Sequence, residues 1–249
     1  MIKASEIYCL HETGGRENNE DAVWPVKSSA SPADRLFIVC DGVGGSSAGE
    51  IASAITCTGF ADYFKKQLPE NDQAGTVLLE QAHASTLAQF KAHIEKDPSA
   101  GDMSTTLTLV YLNRASVLVA WCGDSRIYQV RNGEVIFQSR DHSLVNQLIK
   151  AGELTEAEAE NYPQKNLILR AIQYKKKPSA IESIELTDIQ SGDYFLLCTD
   201  GLLENMNPGV LKDLLKDGEQ KDYVSAIDAI CKGNTRDNYS MYLVKLINE

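Results

Sequence analysis

Apolar positions along this chain follow two rhythms. Short unbroken runs rich in β-branched and aromatic residues read as buried strands at 36–40, 106–111, 116–121, 126–130, 134–137, 181–186, 194–198 and 241–247. Longer stretches carry helical spacing: Ile51, Ala52, Ile55, Gly59 and Tyr63 within 48–68, then Val77, Leu78, Ala82, Leu87, Phe90 and Ile94 within 74–95. Residues 143–161 read as one polar-rich helix ended by Tyr162-Pro163, and 209–216 and 219–232 as two more. Asn132-Gly133 is a two-residue hairpin signal, and consecutive strands joined by short turns are expected to pair antiparallel. Helices come in pairs and strands in runs. The predicted class is therefore α+β, antiparallel sheets flanked by helices, with residues 1–249 as one domain.

Charge narrows the partners. The formal net charge of −11 would repel a polyanion, which argues against nucleic acid. No apolar run approaches the ~20 residues a bilayer requires, and the first residues lack a signal-peptide core, so a cytoplasmic protein without membrane contact is expected. The six cysteines form no C-x-x-C pair and mostly sit in strand-like runs, as reduced core thiols would.

Six acidic segments stand where the chain is expected to turn. They are Asn19-Glu20-Asp21, Asp41-Gly42-Val43-Gly44-Gly45, Asp102 before Ser104-Thr105-Thr106, Gly123-Asp124-Ser125-Arg126, Asp200-Gly201 and Asp237-Asn238. Singly, each has a plain reading as a strand-ending turn, an Asx turn or a solvated loop. Jointly they would repel one another in a cleft unless a hard cation such as Mg²⁺ or Mn²⁺ joined them. Glycines beside Asp41 are expected to permit positive φ and close backbone approach to an ion, so the Gly42 carbonyl is itself a candidate ligand. Arg16, four residues before Glu20, offers a planar fork for phosphate oxygens. These features point to a metal-assisted phosphoryl hydrolase.

Rival chemistries fare differently. A cysteine phosphatase needs an arginine six positions after its thiolate, and those positions hold Gly15, Ser46, Tyr63, Tyr128, Glu204 and Asp237. No Gly-Lys-Ser/Thr occurs, which removes a Walker loop. Gly45-Ser46-Ser47-Ala48-Gly49 matches G-x-S-x-G, so a serine esterase using Ser47, Asp124 and His142 stays open, as does a non-catalytic phosphoprotein-binding regulator. The esterase leaves Glu20, Asp21, Asp41, Asp200 and Asp237 unexplained. For His142 itself the plainer reading is structural, with Asp141 or Ser143 capping the next helix.

In this order the motifs resemble the metal-dependent PPM (type 2C) protein phosphatases in their bacterial Ser/Thr form. The resemblance runs from Arg16-Glu17-Asn18-Asn19-Glu20-Asp21 to Asp237-Asn238, through Met103-Ser104-Thr105-Thr106, Asp141-His142-Ser143, Cys198-Thr199-Asp200-Gly201-Leu202 and Leu169-Arg170-Ala171. It implies an αββα sandwich and hydrolysis of phosphoserine and phosphothreonine on proteins by metal-activated water, without a covalent phosphoenzyme. By resemblance, Asp41, Asp200 and Asp237 hold one Mn²⁺ or Mg²⁺. Glu20, Asp41 and the Gly42 carbonyl hold a second, with Asp21 in support through water and Arg16 on the phosphoryl group. Asp102 with Asp200 are the candidates for a third ion, and residues 145–170 correspond to a flap. A monomer that opposes a Ser/Thr kinase or acts on its targets is the implied setting. Val43 stands where many eukaryotic members have a histidine proposed as leaving-group acid, and Ser104 where bacterial members often have glycine.

Overall fold

Strand runs that are apolar on both sides need cover on both sides. In the strand Leu36–Asp41, Leu36, Ile38 and Cys40 face one apolar layer while Phe37 and Val39 face another. Phe195 and Leu197 likewise alternate with Tyr194, Leu196 and Cys198 in the strand Tyr194–Cys198. Three stacked layers of side chains follow from that alternation.

The computed structural model describes residues 1–43, 48–68, 74–159, 161–216 and 222–249. Its strands are β1 (Ile2–Glu12), β2 (Asp21–Trp24), β3 (Leu36–Asp41), β4 (Leu107–Leu112), β5 (Val117–Cys122), β6 (Arg126–Arg131), β7 (Glu134–Gln138), β8 (Glu182–Leu186), β9 (Tyr194–Cys198) and β10 (Tyr239–Asn248). Its helices are α1 (Gly49–Gln67), α2 (Thr76–Lys96), α3 (Leu144–Ala151), α4 (Glu156–Ala159), α5 (Asp200–Leu203), α6 (Pro208–Leu215) and α7 (Tyr223–Cys231). One sheet has the order β1-β10-β9-β6-β7 and the other β2-β3-β4-β5-β8, every pair antiparallel. The sheets meet through Phe37, Val39, Val119, Phe195, Tyr242 and their neighbours. Helices α1 and α2 cover the outer face of the second sheet, and α5, α6 and α7 that of the first. The result is the expected αββα sandwich.

Two expectations need correction, and two readings are sharpened. Residues 143–161 form two short helices, because Gly152 takes the left-handed conformation at φ 75° and stops α3. Strands β5 and β6 are joined by a short turn yet lie in different sheets: Gly123, at φ +114°, carries the chain across. Asp21 belongs to no solvated loop but to β2, directly opposite Asp41 in register. Among the described residues of 219–232, the helix occupies Tyr223–Cys231. Asn132 and Gly133, both at positive φ, form the expected hairpin turn between β6 and β7. All six cysteines are free and buried. Among the described residues, no helix is long and apolar enough to cross a membrane.

Candidate active site

The acidic segments other than that of Asp102 come near one another where β2 begins and β3 and β9 end. Register alone puts Asp21 beside Asp41. The end of β3 is then pinned: the Asp41 N–H donates to Thr106 Oγ1 (2.9 Å), and its carbonyl accepts from Thr106 N (2.8 Å) and Thr105 Oγ1 (2.7 Å). Thr106 Oγ1 in turn lies 2.7 Å from Ser125 Oγ. Glu20 is held by its backbone, donating to Asn238 Oδ1 (2.8 Å) and accepting from Gly42 N (3.0 Å) and Ser53 Oγ (2.6 Å). Asn238 also donates to the Thr13 and Asn18 carbonyls (2.7 and 2.8 Å), so this one amide ties the 13–20 loop to β10.

Glycines let these backbones touch. A Cβ on Gly42 would lie 2.5 Å from the Gly49 carbonyl oxygen and 2.7 Å from that of Glu20. One on Gly201 would lie 1.9 Å from the Asn238 oxygen, and one on Gly14 equally close to the Asp237 oxygen. Of the two expected uses of glycine, Gly42 supplies close approach and not positive φ, and Gly201 does the same.

Electrostatics at this pole are unbalanced. Asp21 is 5% exposed; its Oδ2 accepts from Thr199 Oγ1 (3.1 Å), and its Oδ1 is buried without a hydrogen-bond partner. Burial, with Asp200 and Asp237 nearby, pushes this carboxyl up to about 7. Burial followed by the charges of Asp21, Asp200 and Asp124 raises Asp41 well above the carboxylate range. Asp200 lies at the exposed mouth, hydrogen-bonded to Asp41. It too is raised, by partial desolvation and by the charges of Asp237 and Glu204. Asp124, whose Oδ1 is buried and unpartnered, is pushed up to about 7 by burial and by Asp200 and Asp141. Glu20 is raised by burial and by Glu50.

The cation at hand is Arg16, which grips Asp237 with Nε and Nη2 (2.9 and 2.5 Å). Asp102 lies on an exposed turn, its carbonyl accepting from Gln173 Nε2 (3.0 Å). Among the described residues, no three His, Cys, Asp or Glu side chains stand close enough together to hold an ion as placed. Two engagements are part of the reason: Asp41 and Asp200 turn toward one another, and Asp237 toward Arg16. The donor set still suits a hard divalent cation. It is all oxygen, its members raise one another's pKa, and two buried carboxylate oxygens lack any partner. A cleft of 1110 Å³ opens from Asp124 and Asp200, walled by Val145, Asn146 and Ile149 of α3 and by Glu204.

Comparison with known proteins decides the lineage. The profile of the family described as protein phosphatase 2C matches residues 11–247. The chain belongs to that family. It is 36% identical over 214 residues to protein phosphatase PhpP of Streptococcus pneumoniae, covering 84% of each chain. It is 29% identical over 238 residues to the serine/threonine protein phosphatase PstP of Mycobacterium tuberculosis, covering 94% of this chain but 43% of that relative's length. The crystal structure of the PstP catalytic domain in complex with two manganese ions superposes with TM-score 0.75 at 25% identity, covering 99% of this chain and all of that one. The αββα fold is thus the protein phosphatase 2C fold.

Within this family the serine-esterase reading loses its base. His142 is buried and stacked on Trp121; its Nδ1 accepts from Gly123 N–H (3.1 Å) and its Nε2 faces Glu182 (3.1 Å). Ser143 caps α3 and Asp141 takes both arms of Arg126 (2.8 and 2.7 Å), so His142 serves the structure. Ser47, Gly44 and Gly45 lie outside the described residues. The clamp role of Asn238 and the burial of Asp124 beside Asp41 are not legible from the Asp237-Asn238 and Gly123-Asp124 segments alone.

Proposed function

We propose that this chain hydrolyses phosphoserine and phosphothreonine on proteins with two bound Mn²⁺ or Mg²⁺ ions. The observation that carries the reading is the group of Asp21, Asp41 and Asp124, sunk behind Asp200 at the mouth, in which neighbouring carboxylates raise the pKa of each and Asp21 and Asp124 each leave one oxygen unpartnered. Such a group costs stability without a counter-cation. Asp41, Asp200 and Asp237 would hold one ion. Glu20, Asp41 and the Gly42 carbonyl would hold the other, with Asp21 behind them. Asp102 with Asp200 remains the candidate pair for a third, although Asp102 faces solvent. When bound, two such cations acidify water and offset negative charge on a phosphoryl group.

The chain's own residues do the rest. Thr105, Thr106 and Ser125 fix the backbone of Asp41, and Asn238 fixes that of Glu20, so neither ligand drifts. Arg16 cannot grip Asp237 and a phosphoryl group with the same two nitrogens. Its assignment to substrate requires it to release Asp237, which frees that carboxylate for metal. Val43 cannot donate a proton to the leaving alkoxide, so water must. Residues 145–170, beside the cleft, act as the flap of a single catalytic domain, and the enzyme works as a cytoplasmic monomer against the products of a Ser/Thr kinase.

The test is p-nitrophenyl phosphate and a phosphothreonine peptide assayed before and after metal is stripped by chelator. Activity that vanishes on stripping and returns with Mn²⁺ is expected; full activity in the stripped protein overturns the metal reading.

A further inference from the structure

The segment 166–178 crosses the acidic pole. Leu144 N donates to the Leu167 carbonyl (2.9 Å) and Leu169 N to that of His142 (2.7 Å), which ties the segment to the start of α3. Ile172 then exchanges both backbone bonds with Thr105 (3.1 and 2.8 Å), and Thr105 is bridged on its other side to Gly42. Gly42, Thr105 and Ile172 are three rungs of one short sheet. Adjacent strands stand about 4.8 Å apart, so Ile172 lies about 10 Å from Gly42. Three more residues, at about 3.5 Å each, put Lys175 within about 20 Å of the candidate reacting centre.

What this segment exposes is unusual for the molecule. Three of the eight large apolar side chains exposed among the described residues are here: Leu167, Leu169 and Tyr174. Lys175, Lys176 and Lys177 follow, all exposed, with no ion-pair partner among the described residues. A run of three unpaired cations on a chain of net charge −11 runs against its surroundings. The nearby acids are Asp102 beside Gln173 and Glu182 at the start of β8. Glu182 faces His142 and Arg170 (3.1 and 4.0 Å) and not the lysines. Exposed apolar groups next to free ammonium groups make a surface for a chain with both apolar and acidic side chains.

We propose that 167–177 is a docking strip for the polypeptide flanking the phosphorylated residue, and that it selects substrates with acidic side chains about three to six residues from the phosphate. The inference rests on the phosphatase reading and adds the substrate class. Lysine ammonium groups would meet the flanking carboxylates, while Leu167, Leu169 and Tyr174 would cover apolar side chains between them. Six extended residues span about 20 Å, which sets the distance at which acids are read.

The experiment uses the Mn²⁺-loaded full chain and two phosphothreonine peptides that differ only in flanking residues, Glu in one and Lys in the other. The readout is the ratio of their kcat/KM values, which a general loss of folded enzyme does not move. Wild type is expected to favour the acidic peptide by about tenfold, mostly through KM, with the ratio shrinking as salt rises. K175E/K176E/K177E is expected to bring the ratio to one or below. An unchanged ratio in that variant, or a wild type that turns over both peptides alike while hydrolysing p-nitrophenyl phosphate, overturns the docking strip and leaves the phosphatase reading intact. Absence of p-nitrophenyl phosphate hydrolysis in saturating Mn²⁺ overturns both.

Discussion

Two buried aspartates in this protein are treated in opposite ways. Asp193, fully buried ahead of β9, is met by a cation: Arg131 gives Nε to Oδ1 (2.7 Å) and Nη2 to Oδ2 (2.9 Å). Gln129 Nε2 and Gln190 N complete the shell (2.9 and 3.0 Å). Asp21, almost as deeply buried, meets hydroxyls of Thr199 and Ser240 but no cation, and its neighbours are further carboxylates. Where a carboxylate serves architecture, the fold supplies an arginine fork and gives both oxygens donors. At the opposite kind of site it supplies acids without counter-charge. That difference supports the proposed metal centre more firmly than any single Asp-Gly pair.

Substitutions that break the contrast should have unequal effects. Asp41→Asn and Asp200→Asn each remove a carboxylate that the proposal assigns to metal and should lower Mn²⁺-dependent turnover on the order of 10³-fold. The same changes should raise the melting temperature of the stripped protein, because they relieve like-charge repulsion; a drop in both quantities would contradict the contrast. Arg16→Ala should cost about 10²-fold in kcat/KM without weakening Mn²⁺ binding, since it frees Asp237. Weaker Mn²⁺ binding in this variant, read by calorimetry, would argue that Arg16 organises the site instead of competing for it.

At the architectural site the expectation reverses. Asp193→Ala leaves Arg131 without its main partner and should destabilise the fold by about 3 kcal/mol in denaturant titrations, with Mn²⁺ affinity unchanged. A further expectation concerns pH. Asp21 and Asp124 titrate at about 7 in the native state, against about 4 unfolded. Between those values the native state binds more protons, so the stability of the stripped protein should fall as pH rises from about 4 to 7. Thermal melts should therefore show the stripped protein more stable at pH 5 than at pH 7.5, with Asp124→Asn flattening the slope. A slope of the opposite sign would mean these carboxyls are not raised.

Much of the fold was written in local pattern. The runs at 36–40 and 194–198 lack alternation because both faces are covered, and Asn132-Gly133 forms its turn within two residues. Strands β1 and β2 escaped notice. In β1, half-buried Ser5, Glu6, Ile7 and Tyr8 blur the period of two, and β2 is four residues long. The crossing between sheets at Gly123 is a long-range fact that adjacency in sequence cannot carry.

The acids of the site were legible as types at turns, but their relations were not. That Asp21 pairs with Asp41 is a matter of register. That Asn238 braces Glu20 across 218 residues follows from where β10 ends up, not from either residue. Arg16 gripping Asp237 is likewise visible in space alone, and it sets a phosphate-binding candidate against a candidate ligand.

Binding of Mn²⁺ to the stripped chain, followed by titration calorimetry at pH 7.5, tests the central claim most directly. About two ions per chain are expected for wild type, with marked weakening in Asp41→Asn and no change in Asp193→Ala. Binding that is absent in wild type, or that survives Asp41→Asn unaltered, would contradict the account.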